Sequence, residues 1–235
     1  MDDKFQHWEK TNDHPQDLME MMEGELLDGN IDRKWRLFLC AIARHVLPIA
    51  TFMTAFTLVE VAEAFADGDL LVDELKSASQ VHYEEAVLGE HKKLLLSQPE
   101  SEPDGRRWCA NCAVNAVGFI PLSTRTSFHG SVWAVDAAFR AISPSEAFDI
   151  EAHSAAIFKD IFLNPFQQVA INPEWRTTEI IELSQQMYDS RQFSHMLRLE
   201  ERLRDVGCTQ SDILDHCLLC THVRGCWLVD LLLEK

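Results

Sequence analysis

Between Trp35 and Val46 the apolar residues Trp35, Phe38, Leu39, Ile42 and Val46 return at spacings of three and four, the period that lines one face of an α-helix. That period recurs through most of the chain, and no segment keeps the strict alternation a half-buried strand requires. It predicts an all-α protein, an irregular multi-helix bundle of short and medium antiparallel helices. No internal repeat of fixed length is evident, so solenoids and propellers lose their usual support. With 46% hydrophobic residues in 235 the chain has the means to build a real core.

Turn and cap residues divide the pattern into elements. Pro15 fits the first turn of a helix carrying Leu18, Met21, Met22 and Leu26, closed by Asp28, Gly29 and Asn30. Asp32 is placed to cap the helix that holds Trp35 and Phe38, and Pro48 kinks that helix or begins the next. A stripe of Met53, Phe56, Val59, Ala62, Glu63 and Phe65 follows. Gly68 supplies a left-handed residue after it, and Asp69 a cap for a helix through Leu71, Leu75, Ala78 and Ala86 toward Leu95. Ser143 and Glu146 form a capping box for a helix that ends near Phe162. Residues 163–175 read as a structured loop anchored by Phe166, Val169 and Trp175. Three shorter helices at about 178–189, 192–206 and 210–219, the last with Thr209 and Asp212 in capping-box spacing, precede a final apolar helix in RGCWLVDLLLEK.

The composition breaks once, at SQPESEPDGRR, residues 97–107, which reads as an exposed loop. The expected organisation is a single helical domain over 1–235, with 97–107 as the seam if the chain divides into two subdomains. Trp35, Phe38, Ile42, Phe56, Phe158, Phe162, Trp227 and Leu231 are the expected core.

Charge narrows the partners. Thirty-eight acidic against 21 basic residues give a net charge of −17, a field that repels phosphate backbones and anionic lipid surfaces. Neither nucleic acid nor a membrane is expected as a partner, and no stretch has the uninterrupted apolar length of a membrane span. The start of the chain lacks the pattern of a secretory signal, so the seven cysteines are expected as reduced thiols in a cytoplasmic protein.

Two cysteine groups carry candidate chemistry. Trp108-Cys109-Ala110-Asn111-Cys112 has the form of a dithiol redox motif, but a polar loop stands where such motifs have a strand, so two ordinary helix cysteines are the favoured reading. HCLLCTHVRGC, residues 216–226, is denser. Cys217, Cys220, His222 and Cys226 offer three thiolates and an imidazole, a set suited to tetrahedral zinc, and Gly225 permits the sharp turn this spacing needs. The alternative is that these are core cysteines, in keeping with Leu218, Leu219, Trp227 and Leu228 around them. The cofactor expectation is therefore none, or one structural zinc ion.

DRKWRLFLCAIAR, LVEVAEAFADGDL, AIFKDIFLNPFQQVAINPEW and GCTQSDILDHCLLCTHVRGCWLVDLLLEK together resemble an uncharacterised family of helical proteins abundant in planctomycete bacteria, to which no activity is assigned. The most specific segments are KDIFLNPF and HVRGCWLVDLLLEK, where the family more often has glycine at the positions of Leu163 and Glu234. His216, Cys217, His222 and Cys226 fall on family-like positions, and Cys220 where the pattern is looser. The resemblance implies a bacterial protein with a helical fold, one of many paralogues.

No phosphate-binding glycine loop, His-Glu-x-x-His, nucleophile elbow, calcium loop or di-iron Glu-x-x-His pair occurs. The expectation is a soluble protein-interaction or adaptor module without catalysis, whose partner is another protein. A small structural zinc-binding or thiol redox-sensing protein, and an enzyme of unrecognised type, are the alternatives.

Overall fold

The computed structural model of the chain describes residues 3–11, 15–22, 31–50, 52–89, 102–118, 150–167 and 169–235. Among these residues there is no strand, and the fold is all-α. Its helices are α1 (Asp3–Lys10), α2 (Pro15–Met22), α3 (Ile31–Ala50), α4 (Met53–Ala66), α5 (Val72–His82), α6 (Glu102–Asn115), α7 (Ile150–Ile161), α8 (Thr178–Ser190), α9 (Met196–Asp205), α10 (Ser211–His216) and α11 (Trp227–Leu233). The chain divides into two compact units, one of Met1–Asn12 with Ala155–Lys235 and the other of Asp13–Ser154.

In the unit of Asp13–Ser154, α3 packs against α4 and α6, and α4 against α5. The stripe on α3 is buried as its spacing requires: Phe38, Ile42 and Val46 are fully enclosed, and Trp35 meets Phe38 edge-on at 6.1 Å. Pro48 lies in the last turn of α3, where one lost amide bond does not end the helix, and α3 runs on to Ala50. Asp32 falls inside the first turn rather than before it.

Helix α4 presents a different face from the one its large side chains suggest. Ala55, Leu58, Val59, Ala62 and Glu63 are buried, whereas Met53 is 77% and Phe56 41% exposed. Phe56 is therefore not a core residue. Two overlapping stripes exist on this helix, both spaced by three and four. The one rich in alanine packs inward because small side chains allow closer approach. Glu63 is admitted to that face by Arg44 of α3, whose Nε and Nη2 reach its two carboxylate oxygens at 2.7 and 2.9 Å.

Gly68 takes φ +81° after α4, as its position predicts. The next helix starts from Leu71, not Asp69, with the Glu74 carboxylate accepting the Leu71 amide at 2.8 Å. A π-helical turn, Tyr83–Leu88, continues α5. Buried His82, at the end of α5, lies 3.1 Å through Nε2 from the carbonyl of Asn111 on α6, and Thr54 of α4 is 3.3 Å from its Nδ1.

Residues 102–107, read from composition as loop, form the first turns of α6. Proline in a first turn is compatible with a helix start, so Pro103 marks an element boundary here and not a break. Residues 97–101 lie outside the described residues, as do Leu26, the 28–30 turn, Leu95, and the Ser143/Glu146 capping box.

In the other unit, Trp8 of α1 packs on Phe158 at 5.9 Å, and Phe158 stacks on Phe162 at 4.4 Å. The described residues among 163–172 form the expected loop, which closes in a 3-10 turn, Pro173–Trp175, with Trp175 buried and Phe166 and Val169 half-buried. Helix α8 packs against α9 and α11 around Met187, Tyr188, Leu199 and Leu228. Leu231 is 38% exposed, contrary to expectation, because Leu228, Val229 and Leu232 take the buried stripe of α11. No described helix is long and apolar enough to cross a membrane.

Phe158→Ala removes a fully buried ring from the Trp8 and Phe162 stack and is expected to cost about 3–5 kcal/mol, measured by urea unfolding together with a red shift of tryptophan emission. His82 is held below its ordinary pKa, chiefly by burial, although its contact with Asn111 opposes the shift. A base whose folded pKa is depressed stabilises the fold above its unfolded pKa and loses that contribution as pH falls. The urea midpoint should therefore drop below about pH 6.5, and less steeply in His82→Gln.

Candidate metal centre

The site is assembled from three segments of the unit that contains Ala155–Lys235. Helix α7 presents Asp160 from its last turn, three residues after buried Ile157 and so close to its direction, and the carboxylate is 1% exposed. Helix α10 ends at His216, and the chain returns through 217–226 to begin α11. Gly225 turns this return with φ +96°, a left-handed conformation that favours glycine, and sets Cys226 at the N-cap of α11.

Asp160, His216, His222 and Cys226 converge, each offering one ligand atom, and those atoms all lie within 4.8 Å of one another. His222 Nδ1 is 2.8 Å and His216 Nε2 3.3 Å from Asp160 Oδ1. His216 Nε2 is 3.1 Å from Cys226 Sγ, and His222 Nδ1 is 3.9 Å from the same sulfur. For tetrahedral zinc, bonds of about 2.0–2.1 Å to nitrogen or oxygen and about 2.3 Å to sulfur place ligand atoms about 3.3 to 3.6 Å apart. The observed separations bracket that range. Two imidazoles, a carboxylate and a thiol are geometrically compatible with a structural zinc ion.

Electrostatics point the same way. Burial alone would raise the pKa of Asp160, but hydrogen bonds and charge from His216 and His222 overcome it and hold the carboxyl below its usual value. Asp160 Oδ2 also accepts the Val223 amide at 2.8 Å, which orients the carboxylate from outside the cluster. The Cys226 thiol is pushed well above its ordinary value, first by burial and then by Asp160, while the Leu228 and Val229 amides of α11 favour its thiolate. A buried thiol facing a buried carboxylate is an arrangement that a divalent cation reconciles.

Of the four residues singled out from sequence, the structure brings His222 and Cys226 into this cluster. Cys217 instead faces the apolar core, 1% exposed, its thiol pushed up to about 12 by burial and then by Glu200 and Cys208. Cys220 is exposed. Successive helical residues point about 100° apart, so His216 and Cys217 cannot both face the site from the end of α10, and the imidazole does. Asp160, 56 residues before His216, has no spacing signal. The trace it leaves in the sequence is a charge three residues after Ile157, among the apolar residues that close its own helix.

The other pair, Cys109 and Cys112, lie on α6 and form no disulfide. Cys109 lies in the middle of that helix, away from the N-terminus where a thiol would be activated. Cys112 is buried and pushed up to about 12, by burial and then by Cys109.

No protein-family model matches the chain, and comparisons with curated proteins and with solved structures give no match either.

Asp160→Asn keeps the shape of the side chain and removes the charge that faces both imidazoles. Without added metal it should cost about 2–4 kcal/mol, read from urea unfolding at pH 7. Because the folded pKa of Asp160 is depressed, its contribution is present above the unfolded carboxyl value and lost as pH falls below about 4. Wild type and variant should therefore converge in acid.

Proposed function

We propose that the protein holds one zinc ion through Asp160 Oδ1, His216 Nε2, His222 Nδ1 and Cys226 Sγ, and that the ion's role is structural. The observation that carries this reading is the convergence of four donor atoms of zinc-binding type, from three separate chain segments, within 4.8 Å of one another. Four protein ligands leave no open position for a substrate or an activated water, which favours a non-catalytic centre. When bound, zinc supplies folding free energy, since no such site exists in the unfolded chain. Here it would fasten the 217–226 return and α11 to α7.

The likeness to the planctomycete helical family belongs to the same proposal. His216, His222 and Cys226, on family-like positions, all contribute to the cluster. Glu234, where that family more often has glycine, has φ 57°, a conformation glycine adopts more readily. An interaction role keeps independent support from the Asp13–Ser154 unit, where Met53, Phe56, Leu71, Val81 and Tyr83 are exposed.

The full-length protein, equilibrated with zinc and desalted, should carry one equivalent by mass spectrometry. Cobalt in its place should give the intense visible bands of a tetrahedral site with a thiolate charge-transfer band. His216→Ala and Cys226→Ser should each lose most of the metal and lower the melting temperature, and chelation of wild type should do the same. Cys220→Ser should retain a full equivalent. Protein prepared with ample zinc that holds well under one equivalent would reject the centre.

A further inference from the structure

In the unit of Asp13–Ser154, two imidazoles outside the Asp160 cluster meet each other. His45 of α3 and His153, in the first turn of α7, bring their Nε2 atoms to 2.7 Å across 108 residues of sequence. His45 is exposed and His153 half-buried, so solvent reaches the pair.

The rings cross at 88° with their centroids 4.3 Å apart. A collinear N–H···N bond of this length would hold the centroids about 5 Å apart, so the rings are inclined and the bonding directions of the two nitrogens leave the line between them. That inclination weakens a hydrogen bond and suits an ion seated to one side of the line. On bonds of about 2.0–2.1 Å, two imidazole nitrogens stand about 2.9 Å apart at a right angle and about 3.3 Å apart at a tetrahedral one. The observed separation lies nearer the right angle, the geometry of copper(II) and nickel(II) rather than of zinc.

Both rings are held below the ordinary histidine value, His45 down to about 4 by the protein packed around it and then by His153, and His153 by burial. They are therefore neutral near pH 7, with one proton between the two Nε2 atoms. Transfer of that proton through solvent to Nδ1 of the same ring leaves both Nε2 lone pairs available to a metal. The surroundings do not oppose a cation. Arg44, beside His45 in the chain, is held by the carboxylates of Glu60 and Glu63, and the protein carries a net charge of −17.

We propose that His45 Nε2 and His153 Nε2 form a second metal site, for a divalent ion of the copper and nickel class, with water completing the coordination. Two protein ligands leave positions open, so this ion exchanges readily, unlike one enclosed by four. It fastens α3 to the first turn of α7. The inference does not rest on the zinc reading, because it uses none of the residues of the Asp160 cluster.

The test is titration of nickel(II) chloride into the untagged full-length protein, already equilibrated with zinc and desalted, followed by calorimetry and by long-range proton–nitrogen spectra of the histidine rings. The paramagnetic ion should broaden the His45 and His153 ring resonances before those of the other histidines. His45→Gln and His153→Gln each remove one of the two ligands and should weaken this binding at least about tenfold, with zinc content as in wild type. His216→Ala should leave the broadening of His45 and His153 unchanged, whatever it does to zinc. Wild-type protein in which both rings stay sharp beyond one equivalent of nickel, or glutamine variants that bind nickel as tightly as wild type, overturns the inference. The ring spectra of the wild type decide the matter even where a glutamine variant folds poorly.

Discussion

The unit that contains the C-terminal helices is organised around one costly act, the burial of a carboxylate at the end of an apolar helix. Asp160 sits one turn after buried Ile157 and is 1% exposed. A lone carboxylate there would be neutralised or expelled, because the interior cannot replace its hydration. Its partners are His216, His222 and the Val223 amide. The requirement to satisfy one buried charge thus dictates where α10 ends, how the 217–226 stretch returns, and where α11 begins.

A second constraint follows from the density of donors. Two imidazoles and a thiol brought to one carboxylate satisfy it, but they also leave a thiol in an environment that opposes its ionisation. Proton-mediated hydrogen bonds alone do not use the full donor capacity of such a cluster, whereas a divalent cation engages all four atoms at once. The arrangement is thus geometrically compatible with a metal centre. Cys217, one residue from His216, shows the contrast: a buried cysteine with apolar neighbours behaves as a small hydrophobe.

The Asp13–Ser154 unit is tied by polar contacts of a simpler kind. The Arg44–Glu63 pair joins α3 to α4, and Arg36 donates from α3 to the Val117 carbonyl at 2.6 Å. His82, at the end of α5, reaches Asn111 of α6 and Thr54 of α4. Each of these groups is long enough to span between helices whose contact is otherwise made by alanine, leucine and valine. Each fixes a register that apolar packing alone would leave loosely specified.

The sequence by itself determined that the chain is helical, roughly where its helices run, and that His222 and Cys226 stand among residues able to hold a metal. These are local properties: helical period, caps and ligand spacing are all written within a few turns of chain. Phe56 and Leu231 were misplaced by the same reading, because α4 and α11 carry apolar residues on more than one face and only packing against neighbours selects which is buried. The full cluster of donors belonged to tertiary structure alone. Whether His216 or Cys217 faces the cluster depends on the angle at which α10 ends. Asp160 arrives from a helix remote in sequence, through a fold whose long-range contacts no local spacing encodes.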